Sequence, residues 1–270
     1  MTVTRFKQHS MVNKFSDISS ELESWYLGDN GQYLLESLSS ELSRVLDVSF
    51  GYHLLQTGPV TGETLLAPSK IHHHIVSRCE AMASVDLVAL DEELPLESDS
   101  VDLVVALHSL EFCSNPHQAL RELQRVLMPQ GHLVIIGFNP YSLKGLRNRM
   151  SAMRTASLWR DQHLLSAHRV SDWLHLLGCE VERSSSFYSL PPVGRGRLRS
   201  AVTRCDQWLK RYGSPFGGIY MTHAIKQVGG INTRVRRLPR RERLMGLAVS
   251  KPVAAPTPAQ PTLRDGDAAA

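Results

Sequence analysis

The stretch from residue 101 to residue 137 limits the possible folds more than any other part of the chain. Val101-Asp102-Leu103-Val104-Val105-Ala106-Leu107 is apolar nearly throughout and strand-sized, the pattern of a parallel strand covered by helices on both faces. Asn115 then stands where a helix cap belongs, with Pro116 at the first helical position, where its missing amide hydrogen would be unpaired anyway. Ala119, Leu120, Leu123, Val126 and Leu127 recur at helical spacing. Gly131 is expected to end that helix, and His132 to Gly137 reads as another buried strand. Strand, helix, strand in this order predicts an α/β class with a Rossmann-like, doubly wound, mostly parallel sheet.

The alternation extends both ways. Residues 14 to 46 read as two helices separated by Gly28-Asp29-Asn30-Gly31, the second carrying Leu34, Leu35, Leu38, Leu42, Val45 and Leu46 on one face. Tyr52 to Gln56 is a short strand, Thr57 to Gly62 a tight loop, residues 63 to 66 a short helix, and Val85 to Leu90 a further strand. After an irregular basic stretch at 143 to 160, Ser166 opens a helix carrying Val170, Trp173, Leu174 and Leu177 and closed by Gly178. A strand at 179 to 188, a helix at 198 to 212 and a last, antiparallel strand at 218 to 227 complete the pattern. The expected organisation is an N-terminal helical extension over 1 to 46, a main domain over 47 to 228, and a disordered tail over 229 to 270, basic and then Ala/Pro-rich.

Charge follows the same division. Of the net +4, the last forty residues supply +5 and the rest of the chain −1, so the body offers no basic face for nucleic acid. Arg234 to Arg243 alone invite RNA or an anionic membrane, against the plainer reading of a solubilising tail. The cysteines at 79, 113, 179 and 205 form no Cys-x-x-Cys pair, and no secretory leader is read, so a reduced, cytoplasmic protein is expected. No apolar run reaches the roughly eighteen residues that span a bilayer. In His72-His73-His74, neighbours on a strand point to opposite faces, which leaves two ligands at most and no metal expected.

Ligands of a doubly wound sheet bind beyond the carboxyl ends of its strands, where strand order reverses. Four loops qualify. The first holds Gln56, Gly58 and Gly62: either a nucleotide-type loop, whose glycines let a ligand approach the backbone, or simply a tight turn. Asp91, Glu92 and Glu93 place carboxylates at the second edge, as hydrogen-bond acceptors for a ligand or as a solvated face. The third carries His108 and Glu111, a pair suited to proton transfer or to a structural hydrogen bond. The fourth offers Phe138, Asn139 and Tyr141.

Leu87-Val88-Ala89-Leu90-Asp91-Glu92-Glu93-Leu94-Pro95-Leu96, Ser98-Asp99-Ser100-Val101-Asp102-Leu103-Val104-Val105, His108, Asn115-Pro116 and Leu120-Arg121-Glu122-Leu123-Gln124-Arg125-Val126-Leu127-Met128-Pro129-Gln130-Gly131 together resemble the central block of type 11 class I S-adenosylmethionine-dependent methyltransferases. The resemblance covers about residues 52 to 188, and Gly-Phe-Asn-Pro at 137 to 140 suggests a proteobacterial subgroup. It implies S-adenosylmethionine as cofactor, held by Gln56, Gly58, Gly62, Glu80, Asp91, Glu92 and His108. It further implies in-line methyl transfer assisted by His108 and Glu111, with the acceptor, a small molecule rather than a nucleic acid, bound by Phe138, Asn139 and Tyr141. The chain departs from the family where Gln56 replaces an acid, where Val60 replaces a glycine, and where the segment before the 85 to 90 strand is short, leaving Glu80 to read the ribose. Those departures motivate an alternative: a non-catalytic binding module on the same fold.

Overall fold

The computed structural model describes residues 18–60, 63–82, 84–142, 163–188 and 217–227. Two helices lead: α1 (residues 18–27) and α2 (Asp29–Val48). Then come β1 (His53–Thr57), α3 (Glu63–Leu66), β2 (His73–Arg78), β3 (Leu87–Val88), β4 (Val101–Leu107), α4 (Ser109–Phe112), α5 (Pro116–Val126) and β5 (Leu127–Phe138). The last described elements are α6 (Ala167–Leu176), β6 (Cys179–Phe187) and β7 (Ile219–Lys226). The strands form one sheet in the order β3-β2-β1-β4-β5-β7-β6. Only β7 runs against its neighbours, as expected of the last strand. The order reverses between β1 and β4, whose pairing is parallel, and this is the place where the fold binds ligands.

Each face of the sheet is apolar because each is covered. Leu54, Leu103, Val105 and Leu107 pack against the α1 and α2 side with Leu22, Leu34, Leu38, Leu42 and Leu46. Leu55, Val104, Ala106, Leu133 and Ile135 face Leu120, Leu123, Val126, Val170 and Leu174 of α5 and α6. The one acid within the β4 run is explained by its partners, since the Asp102 carboxylate accepts the Tyr52 and His53 amides and ties the start of β1 to β4.

Asn115 and Ser166 cap α5 and α6 through their side-chain oxygens, as the sequence predicts. Three boundaries differ. Helix α5 ends at Val126, not at Gly131, and Leu127 belongs to β5, opposite Val101. Pro129 explains this, because it pushes Met128 towards an extended backbone and cannot itself donate within a helix. The expected strand at 85 to 90 shrinks to Leu87–Val88, an edge pairing with β2 alone. The break between α1 and α2 is Gly28 alone, and Asp29 already sits in the first turn of α2, where a carboxylate suits the helix N-terminus. The basic stretch at 143 to 160, the 198 to 212 helix, Gly62 and the tail lie outside the described residues.

Candidate functional site

At the end of β1, Gly58 adopts φ +121, and a Cβ there would run into the carbonyl oxygen of Leu107. Only glycine lets the loop lie against the end of β4 in this way. The Gln56 side chain turns back on the loop, its Nε2 donating to the Val60 carbonyl at 2.7 Å, while its Oε1 is buried with no partner. Val60 is 3% exposed and packs into the core on the helical-pair side, so its side chain is accommodated there.

From the end of β2 comes a residue that the sequence did not single out. The Arg78 side chain is 1% exposed; its guanidinium donates to the Pro59 carbonyl of the glycine loop and pairs with Glu23 of α1 at 2.6 Å. Ser19, one turn earlier on α1, donates to the same carbonyl at 2.6 Å. Arg78 Nε and Ser77 Oγ are buried without partners. Glu80, expected to read a ribose, stands two residues beyond β2 and is partly buried; the β2 side chain bonded to the glycine loop is Arg78.

Beyond β3, Asp91 accepts a hydrogen bond from Ser109 Oγ at 2.5 Å. Burial pushes its carboxyl up to about 6, opposed by Ser109, with Glu92 raising it further and Thr57 lowering it. Glu92 is committed elsewhere: its Oε1 accepts the Ser114 and Asn115 amides and fixes the entry to α5. The Cys79 thiol is pushed up to about 12, chiefly by burial, and so stays protonated and unsuited to nucleophilic work.

Beyond β4 lies the most closely knit group. His108 is fully buried, with φ 58 and ψ 19, a left-handed conformation uncommon for a residue with a side chain. Its Nε2 is 2.6 Å from Tyr26 Oη of α1, its Nδ1 faces Glu111 Oε1 at 3.7 Å, and its ring stacks on Phe138 with centroids 4.1 Å apart. Glu111, 1% exposed on its side chain, accepts the Phe138 amide at 2.5 Å. Gly137 makes room for this, since a Cβ there would meet Glu111 Oε1 and, at 2.6 Å, Tyr220 Oη. Burial, and then Glu111, push the phenols of Tyr26 and Tyr220 far above their ordinary range.

The structure therefore brings together Gln56, Gly58, Asp91, His108, Glu111 and Phe138 around the ends of β1, β3, β4 and β5. Asn139 serves a turn, its Oδ1 accepting the Tyr141 amide and its carbonyl oxygen the Ser142 hydroxyl, and Tyr141 is 73% exposed. Sequence reasoning missed Ser19, Glu23, Tyr26, Arg78 and Ser109. The signal for the first three was the four-then-three spacing that puts them on one face of α1; Arg78 had none beyond being a lone cation at a strand end. Among the described residues no three His, Cys, Asp or Glu side chains gather as a metal site would need. His73 instead pairs with His53 across the strands, Nδ1 to Nδ1 at 2.8 Å. No helix among the described residues is long and apolar enough to cross a membrane.

Known proteins share this fold. Residues 66–135 match the type 11 family described as a methyltransferase domain. The chain is 34% identical over 161 residues to the uncharacterised protein YafS of Escherichia coli K12, covering 60% of this chain and 66% of that protein. A shorter match, 43% over 56 residues, links 21% of the chain to 19% of the malonyl-[acyl-carrier protein] O-methyltransferase of Methylovorus. The chain thus spans less than two thirds of either relative's length. A crystal structure from Thermotoga maritima, a SAM-dependent methyltransferase described as a possible histamine N-methyltransferase, superposes with a TM-score of 0.59 at 18% identity, covering 80% of this chain and 100% of that one. Residues 66–135 are thus similar to the type 11 methyltransferase domain, and the chain shares the fold of a SAM-dependent methyltransferase.

Proposed function

We propose that the chain binds S-adenosylmethionine across the carboxyl ends of β1, β2 and β4 and transfers its methyl group to an acceptor by in-line displacement. One observation carries this reading: Gln56 Oε1, Ser77 Oγ, Arg78 Nε and His108 Nδ1 are buried polar atoms without partners, and they stand at or just beyond the carboxyl ends of β1, β2 and β4, the edge on which strand order reverses. Buried groups left unpaired are costly, and their convergence on a ligand-binding edge suits a polar ligand that satisfies them. Gln56 Oε1 can accept from the methionine ammonium, and Asp91 from the adenine amino group or a ribose hydroxyl. Gly58 gives the backbone close approach. The cofactor supplies an already activated methyl group, so the protein's tasks are alignment and exclusion of water, which the cover of α1 over His108 serves.

A small-molecule acceptor and a cytoplasmic setting accompany this reading, and the likeness to the E. coli protein together with Gly137-Phe138-Asn139-Pro140 supports a proteobacterial subgroup. Arg78 favours a second reading. A guanidinium at the end of β2 can only donate, so the cleft would instead serve as a binding module for a different, anionic nucleoside ligand. Calorimetric titration of the full chain with S-adenosylmethionine, its demethylated thioether product and adenosine 2′-phosphate separates the two. Micromolar binding of the first two supports the methyltransferase, whereas binding of the phosphate alone refutes it.

A further inference from the structure

We infer that Tyr26 and His108 form a proton-accepting pair, oriented by Glu111, that takes the acceptor's proton during methyl transfer, so the acceptor is a hydroxyl, amine or carbon acid with a proton to lose. This rests on the cofactor reading of the cleft. Ser19, Glu23 and Tyr26 lie on one face of α1. Ser19 reaches the glycine loop directly, and Glu23 reaches it through Arg78. The same face delivers Tyr26 Oη to within 2.6 Å of His108 Nε2. The backbone that carries His108 borders the candidate cofactor loop, since the Leu107 carbonyl and the Ser109 amide on either side of His108 are what a Cβ at Gly58 would meet.

The hydrogen positions follow from the network. The Glu111 carboxylate facing Nδ1 at 3.7 Å favours the tautomer with the ring proton there, so Nε2 accepts from the Tyr26 phenol, which burial and Glu111 keep protonated. The ring proton then sits on Nδ1, which has no hydrogen-bond partner and faces Glu111 Oε1 at 3.7 Å. A histidine held only for packing would have both nitrogens satisfied. Here the second contact is half made, and it gains strength only when the ring becomes charged. The left-handed backbone of His108 and its stacking on Phe138 hold the ring in that orientation.

The step balances as follows. The acceptor X–H gives its proton to Tyr26 Oη as the tyrosine's own proton passes to His108 Nε2. The electron pair left on X forms the X–CH3 bond, and the pair of the broken S–CH3 bond stays on sulfur as a neutral thioether. The imidazolium faces the Glu111 carboxylate until water takes the proton after product release.

Two measurements on the full chain test this. In 15N-histidine NMR, the His108 ring is expected as the Nδ1–H tautomer, and Tyr26→Phe should change its ring-nitrogen shifts; an identical ring in both proteins overturns the pairing. Methyl transfer from S-adenosylmethionine is then followed to a phenol, a primary amine and a 1,3-dicarbonyl, against a carboxylate and a thioether, which have no proton to give at neutral pH. Tyr26→Phe and His108→Asn are expected to cut kcat for the first group by about 100-fold or more, and Tyr26→Phe to leave S-adenosylmethionine affinity within about twofold. Equal turnover in Tyr26→Phe, transfer only to the second group, or silence of the whole panel with the cofactor bound each overturn the inference. Failure of wild type to bind S-adenosylmethionine is a separate outcome: it refutes the cofactor reading, and the proton-transfer role falls with it.

Discussion

Asp91→Asn should stabilise the protein at neutral pH while weakening nucleoside binding. The Asp91 carboxyl is raised from 3.8 to about 6, mainly by burial. For an acid raised in the folded state, the sign is unfavourable to folding at high pH. Below the unfolded value both states hold the proton and nothing is lost; as pH rises through the folded value the native state must carry a charge that the unfolded chain carries more cheaply. The gap corresponds to about 3 kcal/mol at pH 7 and about 1.5 kcal/mol at pH 5. Asp91 retains some exposure, so the measured effect should fall below those figures. Asparagine keeps an oxygen to accept the Ser109 hydroxyl and removes the charge. Urea unfolding of wild type and Asp91→Asn at several pH values between 5 and 8 gives the difference curve, in which every other titrating group cancels. The variant should be more stable at pH 7.5 by about 1 to 3 kcal/mol, with the advantage shrinking towards pH 5. Parallel stabilities across the range, or a variant less stable at pH 7.5, would refute the assignment of the raised carboxyl to burial.

Gly137→Ala drives a methyl group into Glu111 and Tyr220, both buried, and should cost about 2 to 4 kcal/mol, read as a lowered thermal midpoint. Gln56→Glu, which restores the family's acid, should destabilise by about 2 to 3 kcal/mol at neutral pH, because a carboxylate there faces the Val60 carbonyl with no hydrogen to give; unchanged denaturant midpoints would sink that account. His223 is pushed down to about 4 by burial and then by His132. A base lowered in the folded state loses stability as pH falls below the unfolded value, so about 3 kcal/mol should disappear between pH 6.5 and 4, and His223→Gln should flatten that loss in chemical unfolding curves.

The sheet was readable because its strands announce themselves through burial. Val101–Leu107 and the 132 to 137 run are apolar on both faces, and only a covered parallel strand needs that. The caps Asn115 and Ser166 were readable for a local reason as well, since an N-cap bonds to an amide three residues on. His108 and Gly58 could be placed because each follows a strand directly, and Glu111 and Asp91 because each stands within four residues of a strand end, and the fold sends such residues to one edge. The end of α5 was misjudged because Gly131 is a familiar stop signal, whereas Pro129 and the pairing of Leu127 with Val101 act sooner.

The amino-acid order by itself determined the fold class, the strand-to-loop edges, and the resemblance to a methyltransferase domain. These depend on periodicity and on contacts a few residues apart. The tertiary structure alone decided that Tyr26 meets His108 across 82 residues and that Arg78 meets Glu23 across 55. It likewise decided that Glu92 spends its carboxylate on α5 and that Val60 turns into the core. No local pattern encodes such partners, because a buried polar side chain takes whatever partner the packing of distant elements brings within about 3 Å of it.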